Sequence, residues 1–455
     1  MKNVTAYSLG AAGEVTGSKH YLEYNKKVYE IDCGAFQGNA ESEERNKTQE
    51  LPQPDKVILT HAHYDHSGLL PRLVKEGYEG KIYSTPATRD LTSIILMDSA
   101  KIQLHEKGKP VYLEKDAIET MDHFSCSSYK KTKKINDDID LTFYDAGHIL
   151  GSAMANITLH KKGLFCKKDL NILYTGDLGR KSNPLVNPPE TKMPAPDYIF
   201  MESTYGNRTH ESLDKVYKEL QYSINRTVER GGKIIIPSFA VERAQEIIYF
   251  IKNLMADGKI PRIPVYVDSP MAVAATGVFS IHGECFNEKI RNDFIAKGKN
   301  PFSVKSLKFI SSYDESLKIA KSKKPCIIIS AQGMCEAGRI ISHIKHGIEN
   351  PNNTILIVGY MCEGTLGKKI LDKEETVCID GKDLKLKAEV HKIDAFSAHA
   401  DYKEMLEWLS EIDTSKLKKI FIVHGDSEAQ KNFSKLLSDK GFNNEIVQAG
   451  VQYKL

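Results

Sequence analysis

The chain has no Cys-x-x-Cys pair, although it carries eight cysteines. They are scattered as Cys33, Cys126, Cys166, Cys285, Cys326, Cys335, Cys362 and Cys378. That spacing argues against a thiolate-based zinc site, and several of these residues sit in apolar runs such as PCIIIS. The opening MKNVTAYSLGAAGEV lacks the apolar core of a signal peptide. Free buried thiols in a reducing cytosol are therefore expected, and a cytoplasmic location with them. No apolar run approaches the length of a membrane span. Charge of one sign is also lacking: 63 Lys+Arg against 60 Asp+Glu leave +3. That total neither demands nor excludes a polyanionic partner, because a basic patch can sit inside a balanced sum. Internal repeats and low-complexity segments are absent. If the protein holds a metal, His and Asp must supply the donors.

What is present is enough chain for two or more domains, at 455 residues. The first 200 or so positions read as short strands rich in β-branched and aromatic residues: VTAYSLG, KHYLEYN, KVYEIDCG and KVILTHAH. LLPRLVKEGY reads as a short helix and residues 85–104 as a longer one. DIDLTFYDAGHILGSAMANITLH reads as strand, loop, strand, and NILYTGDLG and DYIFMEST as two further strands. After Tyr205 the texture changes to helices alternating with continuous apolar runs, GGKIIIPSFA, IPVYVDSP, KPCIIIS and NTILIVGY. Such runs predict a parallel sheet covered on both faces. Near Leu384 the strand-rich texture returns. The expected organisation is an outer domain of residues 1–207 and 384–455, interrupted by an α/β domain at 208–383.

The chemistry gathers in LTHAHYDHSG. His61, His63, Asp65 and His66 follow directly on the apolar run KVIL. Neutral imidazole and carboxylate are natural zinc donors where thiolate is missing. In an extended segment positions 61, 63 and 65 would point the same way, with His66 at the turn into the helix. Four such groups cannot all bind one ion that keeps an open position, but they could serve two ions side by side. Three further donors terminate apolar strands elsewhere: His148 in DAGHILGS, Asp177 in YTGDLG and His424 in FIVHGD. Ligand-type residues at several strand ends are where sites collect. Each alone could equally be an ordinary polar strand end.

Taken in order, H-x-H-x-D-H after a strand, a distant His, a Gly-Asp and a late His resemble the metallo-β-lactamase superfamily. Asp32 in YEIDCG matches the family's strand-end Asp. The resemblance implies a four-layer αββα sandwich with its metals at the sheet edges. It implies that His61, His63 and His148 hold one zinc, Asp65, His66 and His424 the other, and that Asp177 bridges both. MESTYG with Glu202, FSAHADY with His399 and VHGD with His424 are similar to the three motifs of the β-CASP nucleases, in the form with His that RNA-cleaving members carry. PSFAVERAQEIIY, SAQGM and GYMCEGTLGKKI look like segments of their inserted domain. One departure is Lys368, where the group often has Arg; the charge stays but bidentate geometry is lost. The resemblance is to the short form of the group, like the cleavage-and-polyadenylation endonuclease and its bacterial and archaeal homologues.

A zinc-dependent ribonuclease acting on single-stranded RNA, in RNA processing or decay, is the function the resemblance implies. Two zinc ions, balanced by Asp65, Asp177 and a hydroxide, leave a centre near +1 that suits a phosphodiester. His399 would protonate the leaving oxygen, and Glu202 would fix its tautomer. Asp401 could cap the helix that follows. Ser238, Ser330, Gly333, Gly364, Thr365 and Lys368 are candidates to meet phosphate, since small residues after strands expose backbone N–H groups. DNA or a small ester or thioester is the alternative substrate. A homodimer is expected by analogy.

Overall fold

The structure is a computed structural model describing all residues except 1–3, 106–108, 161–168, 299, 360, 363 and 394–396. Cys166 therefore lies outside the described residues. Contacts divide the chain into two units, residues 1–209 with 398–455, and residues 210–397.

The first unit is built on two seven-stranded sheets. One runs Tyr453–Lys454, Thr5–Gly10, Lys19–Tyr24, Lys27–Ile31, Lys56–Ile58, Lys81–Ser84, Phe124–Cys126 in spatial order. The other runs Asn444–Ile446, Lys419–Ile422, Tyr198–Met201, Leu170–Tyr174, Ala153–Leu159, Ile139–Asp145, Lys133–Asn136. Alternation along each strand decides the layers. Ile172, Tyr174 and Phe421 turn inward with Leu22, Tyr29 and Ile31 of the opposing sheet. Their neighbours Leu173, Ile420 and Ile422 turn outward under Met405, Trp408 and Phe433. On the other side Val57 and Ile82 lie under Leu70, Leu73 and Leu96. Helix, sheet, sheet and helix layers result, as expected. Tyr174, Phe200 and Phe421 stack across three neighbouring strands at 4.4 and 4.8 Å between centroids. Each buried ring adds about 1.5–3 kcal/mol of burial to the inner core.

Strand direction sets where the site lies. Lys27–Ile31 and Lys56–Ile58 are parallel, so Asp32 and His61 emerge at one edge. Leu170–Tyr174, Tyr198–Met201 and Lys419–Ile422 are mutually parallel and deliver Asp177, Glu202 and His424. Ile139–Asp145 runs antiparallel to Ala153–Leu159, which is antiparallel to Leu170–Tyr174. The loop bearing His148 thus leaves from the same edge as Asp177.

The second unit carries a six-stranded, wholly parallel sheet in the order Leu307–Phe309, Val265–Val267, Ile327–Ser330, Ile234–Pro237, Thr354–Ile357, Glu389–Lys392. A hairpin of Thr376–Ile379 and Lys382–Lys385 stands apart from it. Two sequence expectations need correction here. Glu389–Lys392, assigned above to the outer domain, pairs parallel with Thr354–Ile357 and completes the inserted sheet. Its alternating sequence resembles a half-exposed outer strand because it lies at the sheet's edge. The thiols also differ from expectation: Cys33, Cys285, Cys326 and Cys335 are buried, but Cys126 and Cys362 are half-buried and Cys378 is exposed. Among the described residues no helix is long and apolar enough to cross a membrane.

Candidate metal centre

The segment after Lys56–Ile58 does not stay extended through Asp65. It turns at His63 into the one-turn helix Tyr64–Ser67. This turn, rather than strand alternation, separates the donors. His61 and His63 face one way with His148 and Asp177, while Asp65 and His66 face His424. Within each group one ligand atom per residue lies within 4.8 Å of the others.

The first group is tight. His63 Nδ1 is 3.1 Å from His61 Nε2 and 3.2 Å from His148 Nε2. Asp177 Oδ2 is 3.4 Å from both His61 Nε2 and His148 Nε2. In the second group His66 Nε2 and His424 Nε2 are 3.1 Å apart, and Asp65 Oδ2 is 3.5 Å from His424 Nε2. Asp177 Oδ1 lies 3.2 Å from His66 Nε2 and 3.4 Å from His424 Nδ1. One carboxylate therefore gives one oxygen to each group. Four donors set tetrahedrally about 2.0–2.1 Å from one zinc lie roughly 3.3–3.4 Å apart, so the spacings fit that ion.

In the first group the electrostatics agree with this fit. Burial, reinforced by neighbouring imidazoles, holds His61 and His148 well below the ordinary imidazole value and His63 down at about 4. Three imidazoles kept neutral in a buried cluster present lone pairs to one another, which is the ligating form. Burial also opposes charge on His66, but Asp177 and Asp32 outweigh it and hold that ring well above its usual value. Asp177 is penalised by burial yet held low by His424, His66 and His399.

A second layer fixes the donors. Asp32 does not face the two groups; it stands behind them. Its Oδ2 is 2.7 Å from His66 Nδ1, and its Oδ1 accepts from the N–H and hydroxyl of Thr60. Thr60 Oγ1 also lies 3.2 Å from His61 Nδ1, and Thr204 Oγ1 lies 3.1 Å from His424 Nδ1. Orienting partners of this kind set the tautomer of a ligating His. Thr60 and Thr204 were not singled out from the sequence; adjacency of Thr60 to His61 was the only available signal. Asp32 and His424 take φ of 61° and 48°, the left-handed region that costs a non-glycine residue about 1–2 kcal/mol. Hydrogen bonds hold both there: Asp32 N–H to Ile58 O, His424 N–H to Ala11 O, and Ser203 N–H to His424 O.

Beside this centre His399 Nδ1 lies 3.0 Å from Glu202 Oε1, and His399 Nε2 lies 3.9 Å from Asp177 Oδ2. Glu202 is fully buried, and its oxygens also accept from the N–H groups of Leu178 and Thr204. Glu202 also forms, with Asp177 and His399, a third group whose ligand atoms lie within 4.8 Å of one another. Burial disfavours charge on His399, but Glu202 and Asp177 overcome it and raise the ring to about 9. His399 does not cap the following helix. Asp401 caps Tyr402–Glu411, with a reciprocal contact from Glu404.

The substrate candidates fare unevenly. Ser238 and Ser330 are buried, and their hydroxyls donate to the carbonyls of Phe239 and Asp268. Neither hydroxyl faces out, because both sit at the ends of fully covered strands. Gly333 is buried against the backbone of Phe239. Gly364 is exposed at φ +84°, Thr365 caps Leu366–Leu371, and Lys368 pairs with Asp372 at 2.7 Å.

This sandwich and donor set define the class of metal-dependent hydrolases built on the metallo-β-lactamase fold. Residues 22–185 match the metallo-beta-lactamase superfamily domain, residues 244–370 the Beta-Casp domain, and residues 383–447 the Zn-dependent metallo-hydrolase RNA specificity domain. Ribonuclease TTHA0252 of Thermus thermophilus is 34% identical over 444 residues, 97% of each chain. Transcription termination factor FttA of Methanosarcina mazei is 35% identical over 441 residues, 94% of this chain and 67% of that one. The factor of that name from Methanocaldococcus jannaschii is 32% identical over 436 residues, again 94% and 67%. A crystal structure of a protein of unknown function from Enterococcus faecalis V583 aligns over 100% of both chains with TM-score 0.58 at 12% identity, which shows the fold alone. The chain belongs to the β-CASP family of the metallo-β-lactamase superfamily.

Proposed function

We propose that this protein hydrolyses phosphodiester bonds of single-stranded RNA with two zinc ions, in cytoplasmic RNA processing or decay. The observation that carries the proposal is Asp177, whose two oxygens address two separate donor groups while His399 stands within 4 Å. The name ribonuclease on a relative covered end to end, and the RNA specificity domain at residues 383–447, support RNA as the substrate.

His61, His63 and His148 would hold one ion, Asp65, His66 and His424 the other, with Asp177 shared. When bound, the ions supply Lewis acidity and lower the pKa of water. The chain's own part is positional and protonic. Asp32 keeps His66 Nδ1 engaged, so Nε2 stays turned to the centre. Glu202 engages His399 Nδ1, which leaves Nε2 as the proton-bearing edge on the Asp177 side. His399 donates that proton to the leaving oxygen. Gly364, Thr365 and Lys368 contribute phosphate contacts, and the enzyme works as a homodimer. Ser238, Ser330 and Gly333 act through backbone position rather than exposed side chains.

Purified protein with zinc, incubated with an RNA labelled at its 5′ end and separately at its 3′ end, tests the reading. The same sequence as DNA is the control. RNA products set activity and direction together. Preferential cleavage of DNA, or an intact RNA beside a cleaved small phosphodiester, would refute the choice of substrate.

A further inference from the structure

Lys19 is fully buried, and among the described residues no carboxylate forms an ion pair with its ammonium, although Glu30 and Glu14 act on it from farther off. Its Nζ donates instead to two backbone carbonyls, Gly17 O at 3.0 Å and Gly34 O at 2.9 Å. It also lies 3.9 Å from the centroid of Phe36, a ring that Arg45 approaches at 3.5 Å. Burying an ammonium costs several kcal/mol. The group is pushed down to about 8 by burial but remains largely a cation at neutral pH. A charge kept at that cost is holding something in place.

What it holds are the two segments that grip the donor turn. Ser18 N–H bonds Asp65 O at 2.8 Å, Cys33 N–H bonds His66 O at 2.8 Å, and Ala35 N–H bonds Tyr64 O at 3.0 Å. Gly34 N–H bonds Ser18 O at 2.9 Å and Gly17 N–H bonds Ala35 O at 3.1 Å, so the two segments are also laced to each other. Gly34 lies so close that a Cβ there would fall 1.6 Å from Asp65 O. The carbonyls of Gly17 and Gly34 point together, and the Lys19 ammonium satisfies both. Without it their dipoles would repel, and the clamp on Asp65 and His66 would open. His61, His63 and His148 receive none of these bonds.

We propose that Lys19 is a positioning residue for one half of the centre: it sets the metal affinity of Asp65, His66 and His424 without touching the ion, and leaves the His61, His63 and His148 group alone. The inference rests on the two-ion reading above. A matched control exists in the other unit. Lys233 is likewise buried and donates to two carbonyls, Ile319 O at 2.9 Å and Ala320 O at 2.8 Å, far in sequence from any donor.

The test is a zinc titration of the full chain against a chromophoric chelator, for wild type, Lys19→Met and Lys233→Met, with Asp65→Ala marking which step belongs to the second group. Melting temperature in excess chelator reports folding separately. Lys19→Met is expected to weaken the step marked by Asp65→Ala about 10–100-fold, the usual loss when a ligand's support is removed. The other step should stay within about threefold, and Lys233→Met should leave both steps unchanged. Equal affinities in Lys19→Met and wild type, equal loss at both steps, or the same loss in Lys233→Met would overturn the assignment. If Lys19→Met does not fold, Lys19→Gln, which keeps a donor for one carbonyl, is judged by the same criterion. A wild-type chain that takes up a single ion refutes the two-ion reading itself, and Lys19's role with it.

Discussion

One methyl group should disable the centre. In Gly34→Ala the new Cβ would lie 1.6 Å from Asp65 O, 2.3 Å from Asp65 C and 2.8 Å from His66 N. All three are backbone atoms, so no side chain can swing aside. Gly34 is not among the residues with positive φ, so alanine brings no conformational strain and the effect is steric alone. Even the closest tolerable approach, about 3.0 Å, requires the donor turn to retreat by well over 1 Å. Metal ligands tolerate about 0.2 Å. A misplacement of about 1 Å at a reacting centre costs roughly 100-fold in rate. Overpacking should also lower stability by about 1–3 kcal/mol. The assay is kcat/KM on a labelled RNA beside metal content and melting temperature. Gly277→Ala is the control, since nothing lies within 4 Å of a Cβ there. Gly34→Ala that cleaves RNA at the wild-type rate with its full metal would refute the view that this backbone contact places Asp65 and His66.

The other half of the centre has its own such contact. In Gly179→Ala the Cβ would meet Gly147 O at 1.7 Å and His148 N at 2.4 Å, so metal titration should lose first the step proposed for the His61, His63 and His148 group. His399→Gln should lower RNA hydrolysis by about 10²–10⁴ with metal content unchanged, whereas Asp65→Ala should lose metal and activity together. Stability should also respond to pH through Glu30, which is fully buried beside the Tyr21 hydroxyl at 2.9 Å. Burial pushes its carboxyl from 4.5 up to about 8, against the pull of Tyr21 and Lys19. A raised carboxyl favours the folded state below the unfolded value, and that contribution is lost as pH rises through about 8. The full effect is at most about 5 kcal/mol, and Glu30→Gln should flatten the fall in melting temperature between pH 5 and 9.

Much of the site was legible because its donors are local or end strands. H-x-H-x-D-H lies in one stretch, and Asp177, Glu202 and His424 each follow an apolar run whose register puts them at one edge. The split of that stretch between two groups was legible only through resemblance, because alternation would have sent Asp65 with His61. The turn at Tyr64–Ser67 redirects it, and the Gly17–Ser18 and Cys33–Ala35 segments impose that turn through tertiary hydrogen bonds. Lys19 and Thr204 were invisible because the carbonyls and rings they meet are brought close only by folding, and Thr60 showed only in its adjacency to His61, its bond to the Asp32 carboxylate being tertiary. That the Ser238 and Ser330 hydroxyls turn inward was not legible, because the helices covering a parallel sheet bury both strand ends. The edge strand Glu389–Lys392 was placed with the wrong unit because an exposed edge carries the alternation of a half-buried sheet.

The central claim is that one centre, sharing Asp177, cuts RNA with metal. Single-turnover cleavage of an end-labelled single-stranded RNA by the purified chain, in chelator and then with zinc restored, tests it most directly. Expected are no cleavage in chelator, recovery as zinc approaches two equivalents per chain, and no recovery in Asp177→Asn. Cleavage that persists in chelator, or recovery in Asp177→Asn equal to wild type, would contradict it.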